Sequence, residues 1–215
     1  MQPLQRWELR RQLVHLSGVI YLILAQFAGQ LTSAIAFLLV ALIFFTYGQF
    51  IQRRAAAQHT ALHRFESRLR SMVMSFEHQR HAPLLFQGII WYYLSSGIAL
   101  ALFPWRPLNI ATAACLFLAV GDSFSTLVGV HGSHRIAGEK TWEGSSTFFV
   151  STLVAGAFLL PLWLAAFGAA VATLTELLPA ALPARGAWRK VWDDNLLIPL
   201  ISGAAMTVAA AFIVL

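Results

Sequence analysis

Asp122 stands inside an apolar run, and the stretch around it, AVGDSFSTLVGVHGSHRIAGEKTWEGSS over residues 119–146, carries residue types suited to phosphate chemistry. An ionisable group in a membrane-length run costs about 3 kcal/mol on insertion scales, so it normally faces a bundle interior or a watery cavity. Gly121, Ser125 and Gly129 recur every four residues beside it, a small-residue stripe that lets a helix or a ligand approach the backbone. Thr126 follows Asp122 one turn later on its own side. The next loop adds Gly132, Gly138, Lys140, Thr141, Glu143, Gly144, Ser145 and Ser146. Lysine, hydroxyls and glycine at a helix start bind phosphate through exposed N–H groups, the helix dipole and a point cation. The plainer alternative is a solvated turn capping the following helix with Ser145. No GxxxxGK[ST] is present, so this is not a P-loop.

A carboxylate beside a phosphate site invites magnesium, which is commonly held by one or two carboxylates together with phosphates and water. Asp122, Glu143, Glu176 and Asp194 are the acids available near one depth, with Asp122, Glu143 and Asp194 the expected metal ligands. Asp193–Asp194–Asn195 serves equally well as an ordinary helix cap. Glu176 has no cation within a turn. Near the N-terminus Arg10, Arg11 and His15 fall on one face, where they suit phosphate oxygens or a lipid headgroup. His131 and His134 lack an HExxH or similar pattern, so zinc is not indicated.

These residues need a membrane to position them. The chain is 58% hydrophobic and 11% charged with a mean hydropathy of +0.68, far short of the roughly 25% charge that clothes a soluble surface. The length fits one bundle over residues 1–215. Cys115 is the single cysteine, which excludes a disulfide framework. A cleavable signal peptide is not expected, since residues 1–12 are polar and no small-residue cleavage site follows.

Runs long enough to approach the roughly 20 residues of a spanning helix cover 13–27, 31–51, 84–103, 108–130, 145–160, 162–178 and 195–215. They predict an all-α polytopic bundle of seven transmembrane helices. With the N-terminus inside, fourteen of the fifteen Lys and Arg residues fall in inner segments and Arg106 alone falls outside. That asymmetry supports an N-in, C-out arrangement and assigns the formal charge of +6 to membrane orientation rather than to nucleic acid. Merging spans five and six across Pro161 would misplace Arg185, Arg189 and Lys190. Glu8, Glu66, Glu77, Glu139, Glu143, Asp193 and Asp194 also lie in inner segments, so the chemistry is expected at the cytoplasmic face. Within segment 52–83, Leu62, Phe65, Leu69, Met72, Val73 and Phe76 recur at helical spacing among arginines. They predict an amphipathic helix at the interface, acting as a connector or as a lid.

Taken together these stretches resemble the dolichol kinase family of CTP-dependent polyprenol, phytol and diacylglycerol kinases. "GDSFSTLVG" supplies Asp122 and Gly129, and "KTWEG" supplies Lys140, Thr141, Glu143 and Gly144. "ELRRQLVHLSG" is similar to the family's basic, histidine-containing entry to the first span. "TELLP" and "DDNLLIPLISG" are similar to its closing elements at Glu176, Asp194, Asn195 and Pro199. Ser125 stands where the family usually has alanine, and Glu139 where a second lysine is common. "KTWEG" also resembles phosphatidate cytidylyltransferases, but their H-G-G and D-R-x-D elements are not found.

The kinase resemblance implies transfer of the CTP γ-phosphate to a membrane lipid alcohol with Mg²⁺. In that scheme Asp122, Lys140 and Glu176 are catalytic, Glu176 being the base for the hydroxyl. The nucleotide is held by Gly129, Lys140, Thr141, Glu143, Gly144 and Ser145, with His15 and Arg11 on phosphate or headgroup. A cytidylyltransferase and a transporter of a phosphorylated compound are the competing readings. The transporter expects a midplane site between repeated halves, and no internal repeat is found. The choice of lipid and the oligomeric state stay open.

Overall fold

A computed structural model of the chain describes residues 16, 18–54, 86–106, 108–182 and 192–214. Among these residues the chain is all-helical apart from one small hairpin. The helices are α1 (Gly18–Ala28), α2 (Gln30–Arg54), α3 (Gln87–Leu102), α4 (Ile110–Gly129), α5 (Trp142–Ala157), α6 (Leu162–Ala181) and α7 (Asp194–Val214). Each falls on one of the seven apolar runs. Four of them, α2, α4, α6 and α7, are long and apolar enough to cross a membrane. Helices α3 and α5 have 16 residues each, about 24 Å of rise against a hydrocarbon core of about 30 Å. Arg10, Arg11 and His15, the amphipathic helix expected over 62–76, and Arg185, Arg189 and Lys190 lie outside the described residues.

The helices form because backbone polar groups in lipid must be satisfied within the segment, and their breaks have local causes. Between α1 and α2 the chain turns at Gly29, whose φ of 88° suits a residue without a Cβ. The Ser33 hydroxyl donates to the Gly29 carbonyl at 2.7 Å and helps close that corner. Pro161 precedes the first turn of α6, where its missing N–H costs nothing.

Helix α4 is the axis. Of its spanning window 72% is buried, against 28% for α2. Ala111, Ala113, Ala114, Cys115, Phe117, Leu118 and Ala119 are completely covered. Helices α3, α5 and α7 pack on α4, while α2 lies on α3 and α6 fills in between α5 and α7. At Phe117–Asp122 the helix widens into a π turn that ends on Asp122. Such turns add a residue to the helical repeat and commonly sit at functional sites.

The stripe Gly121–Ser125–Gly129 packs against α5. A Cβ on Gly121 would lie 2.6 Å from Thr152 Cγ2 and 2.7 Å from the Phe148 ring. One on Gly144 would lie 3.1 Å from both the Gly129 Cα and the Ser125 carbonyl oxygen. The close approach that the stripe permits is therefore taken by a helix.

The segment between α4 and α5 departs from a purely helical fold. Strands β1 (Arg135–Ala137) and β2 (Lys140–Thr141) pair antiparallel, with Arg135 opposite Thr141 and Ala137 opposite Lys140. Gly138 makes the turn with φ 53°, and the Arg135 guanidinium donates to the Glu139 carbonyl across it at 2.6 Å.

Candidate functional site

The hairpin carries Lys140 into the end of the bundle. Its ammonium donates to Glu176 Oε1 at 2.5 Å and reaches Asp194 Oδ2 at 3.3 Å. Asp122, 6% exposed at the end of the π turn, is near enough to act on the same charge. Ser145, one turn into α5, donates its hydroxyl to Glu176 Oε2 at 3.5 Å. Four helices and the hairpin thus place Asp122, Lys140, Ser145, Glu176 and Asp194 together. The Lys140 side chain is 27% exposed while Glu176 is 2% exposed, so the cluster is reached from the lysine side.

Three carboxylates surround one ammonium. Burial pushes the Lys140 pKa down, but Asp194, Glu176 and Asp122 together outweigh it and hold the pKa above the usual lysine range. The lysine stays charged at neutral pH. Removing one partner of a buried pair usually costs about 3–5 kcal/mol, because the remaining charge keeps its desolvation penalty.

The two acids that open α7 divide their work. Asp193 Oδ1 accepts from the Asn195 N–H at 3.0 Å, and its backbone carbonyl accepts from Leu196 and Leu197. Asp194 also accepts from the Asn195 N–H, through Oδ1, while its Oδ2 faces Lys140. Both acids thus accept from the start of α7, as the capping reading expects, and Asp194 alone also faces Lys140. Asp193 also holds Gln87, whose Nε2 donates to Oδ2 at 3.0 Å. Desolvation, then the neighbouring Asp194, push the Asp193 carboxyl up to about 6. Ser95 of α3 donates to the Asn195 carbonyl at 2.7 Å.

Gln87 and Ser95 were not singled out in the sequence. Their only signal is polarity in an apolar helix, and the partners lie a hundred residues away in the chain. Just before Gln87, Phe86 adopts φ 64°, a strained conformation for a bulky residue. Tyr47 stacks on its ring and Phe44 meets its edge, and Phe86 is almost fully buried.

The N-terminus of α5 differs from expectation. The helix starts at Trp142, and Thr141 rather than Ser145 is the N-cap, its Oγ1 accepting from the Gly144 N–H at 3.1 Å. Ser145 lies inside the helix because the hairpin delivers the chain in helical register three residues earlier. Gly129 and Gly144 face each other across the α4–α5 contact, with the Thr141 hydroxyl between them.

Glu143 turns to the other side. Its carboxylate accepts from the Ser133 backbone N–H at 3.1 Å, the Ser133 hydroxyl at 3.2 Å and the His134 backbone N–H at 3.4 Å. The His134 ring Nδ1 lies 2.7 Å from Oε1. The ring's hydrogen bond, with smaller help from the backbone N–H groups, lowers the Glu143 pKa to about 2. This carboxylate fastens the loop before β1. Among the described residues no three His, Cys, Asp or Glu side chains come together closely enough to hold a metal ion on their own.

Fold and site define an all-helical protein whose four long apolar helices mark it as a membrane protein, with an ammonium–carboxylate cluster at one end. No protein-family model matches the chain, and no solved structure matches it. The chain is similar to the uncharacterized protein RP860 of Rickettsia prowazekii, with 26% identity over 147 residues that make up 68% of each chain.

Proposed function

We propose that the chain is a CTP-dependent lipid kinase, transferring the γ-phosphate of CTP to the hydroxyl of a membrane lipid alcohol of the polyprenol, dolichol, phytol or diacylglycerol class. The observation that carries the reading is convergence. Asp122, Lys140, Glu176 and Asp194, which matched the family's motifs at scattered points, meet around one ammonium. The reading includes seven spans, N-in and C-out, with the cluster at the cytoplasmic face beside the inner segments that hold fourteen of the fifteen cations.

The donor set fits magnesium, a hard cation that takes oxygen ligands and often only one or two carboxylates beside phosphate and water. Asp122 and Asp194 would hold it, with Glu143 less suited because its oxygens are engaged by Ser133 and His134. When bound, the ion supplies charge neutralisation at the phosphates. Lys140 would release a carboxylate and steady the phosphate oxygens. The alcohol oxygen attacks the γ-phosphorus in line, the bond to the β–γ bridging oxygen breaks, and CDP leaves with that electron pair. Glu176 accepts the hydroxyl proton. Catalysis rests on positioning and electrostatics, as is usual for phosphoryl transfer.

The test uses purified protein with Mg²⁺, γ-labelled CTP and a panel of polyprenols, phytol, diacylglycerol and phosphatidic acid. Label on an alcohol together with CDP is expected, and Asp122→Asn should lower turnover by roughly 10³-fold with membrane insertion intact. Labelled pyrophosphate formed with phosphatidic acid would move the chain to the cytidylyltransferases. No turnover and no CTP binding would overturn the reading.

A further inference from the structure

Two adjacent carboxylates open α7, and each offers Oδ1 to the same donor, the Asn195 backbone N–H, at 3.0 Å. They part at Oδ2. That of Asp194 lies 3.3 Å from the Lys140 ammonium, and that of Asp193 accepts from Gln87 Nε2 at 3.0 Å. Nothing in the cap itself chooses between the two. Both side chains have the same reach, and neighbours on a helix point about 100° apart. A rotation of the first turn of α7 would therefore bring Asp193 toward Lys140 in place of Asp194.

Helix α3 breaks the tie. Gln87 is its first residue and is 4% exposed. The Nε2 end of its amide holds Asp193, while Oε1 is buried with no hydrogen bond. An apolar side chain of similar size would fill the position without leaving that acceptor unmade. The glutamine is accounted for by its donor and by what the donor holds. Ser95, further along α3, donates to the Asn195 carbonyl at 2.7 Å and ties down the same turn of α7.

The direction of Gln87 is fixed from behind. Phe86, just before it, keeps φ 64° with Tyr47 stacked on its ring and Phe44 at its edge, both from α2. A bulky residue holds a left-handed backbone only where its surroundings impose it. Helix α2 thus sets where α3 begins, α3 aims Gln87 at Asp193, and Asp194 is left to face the lysine.

We propose that Gln87 is a positioning residue that selects between the two acids: by holding Asp193 Oδ2 it reserves Lys140 for Asp194. The use of Asp194 as a magnesium ligand rests on the kinase reading, whereas its selection over Asp193 does not.

The test is a set of double-mutant cycles on the purified full chain in detergent, read as melting temperatures without CTP. In the wild type, the coupling of Lys140→Met with Asp194→Asn should exceed that with Asp193→Asn by roughly threefold. In a Gln87→Met background the two couplings should become about equal. Gln87→Asn, which withdraws the amide by one methylene, serves if Gln87→Met does not fold. Ser95→Ala removes the other hydrogen bond from α3 to α7 and should lower the melting temperature while leaving the threefold preference. In the γ-labelled CTP assay, Gln87→Met should lower kcat about tenfold with little change in the KM for CTP. Adding Asp193→Asn to it should restore most of that loss, because the competing carboxylate is gone. An unchanged preference for Asp194 in both Gln87 variants would overturn the proposal. So would the same loss of preference in Ser95→Ala, or a further fall in kcat on adding Asp193→Asn. If the wild type shows no turnover the kinase reading fails, and the couplings still decide the selection.

Discussion

Two glutamates of the chain each meet a basic partner in or beside the hairpin, and they live in opposite surroundings. Glu176 comes from α6, is almost fully buried, and meets Lys140 across 36 residues of chain at 2.5 Å. Glu143 is a third exposed and meets His134, 76% exposed, only nine residues away. The first pair joins separate helices in a place where an unpaired charge is expensive. The second closes a local turn in contact with water. The contrast separates residues that assemble a site from residues that shape the loop leading to it, although both carry the same functional groups.

Breaking the buried pair should have the largest effect. Lys140→Met leaves Glu176, Asp194 and Asp122 without their ammonium and should destabilise the protein by about 3–5 kcal/mol, read as a lower melting temperature in detergent, besides abolishing the proposed phosphoryl transfer. Lys140→Met combined with Glu176→Gln should recover part of that loss, and strictly additive effects would show that the pair is not coupled.

Crowding the hairpin's exit comes next. Gly144→Ala places a methyl 3.1 Å from Gly129, the Ser125 carbonyl and Thr141 Oγ1. It should cost about 1–3 kcal/mol by overpacking, and an unchanged melting temperature would show that α4 and α5 can part freely.

Asp193 gives a smaller effect of opposite sign. Its folded pKa of about 6 lies above the ordinary 3.8, so its contribution is fully present below pH 3.8 and is lost as pH rises through 6. Asp193→Asn removes that slope. The Gln87 Oε1 atom, buried without a hydrogen bond, can turn to accept from the new amide. The variant should be more stable than wild type above pH 6, by up to about 2 kcal/mol, and destabilisation there would argue that the charge is needed.

Glu143→Gln should change least at neutral pH. With its folded pKa lowered to about 2 from 4.5, Glu143 contributes stability that is present above 4.5 and is lost as pH falls toward 2. Melting curves of wild type and variant should converge through that window, and a constant gap across it would contradict the assignment.

Much of the fold was legible because lipid imposes a simple rule. Among the described residues each of the seven apolar runs holds a helix, and Pro161 and Gly29 mark breaks whose causes are local. The hairpin was not legible. Segments of three and two residues carry no periodicity, and Gly138 is the sole local cue. In the site, Asp122, Lys140, Glu176 and Asp194 were identifiable because charge in or near an apolar helix is costly enough to be noticed. Glu143 and Ser145 were grouped with them by proximity in sequence, and the structure gives Glu143 to Ser133 and His134 and the cap to Thr141. The direction of a side chain depends on where the helix begins, and the residue types do not state that.

From the sequence alone follow the membrane as solvent, the helical class and the unusual residues, since each depends on composition and on the cost of placing a charge in lipid. Tertiary structure alone decided which carboxylates share an ammonium, that the glycine stripe is filled by α5, and that Gln87 fastens Asp193. Those outcomes depend on rotation and depth between helices far apart in the chain, and they are set by how side chains interlock across the contacts.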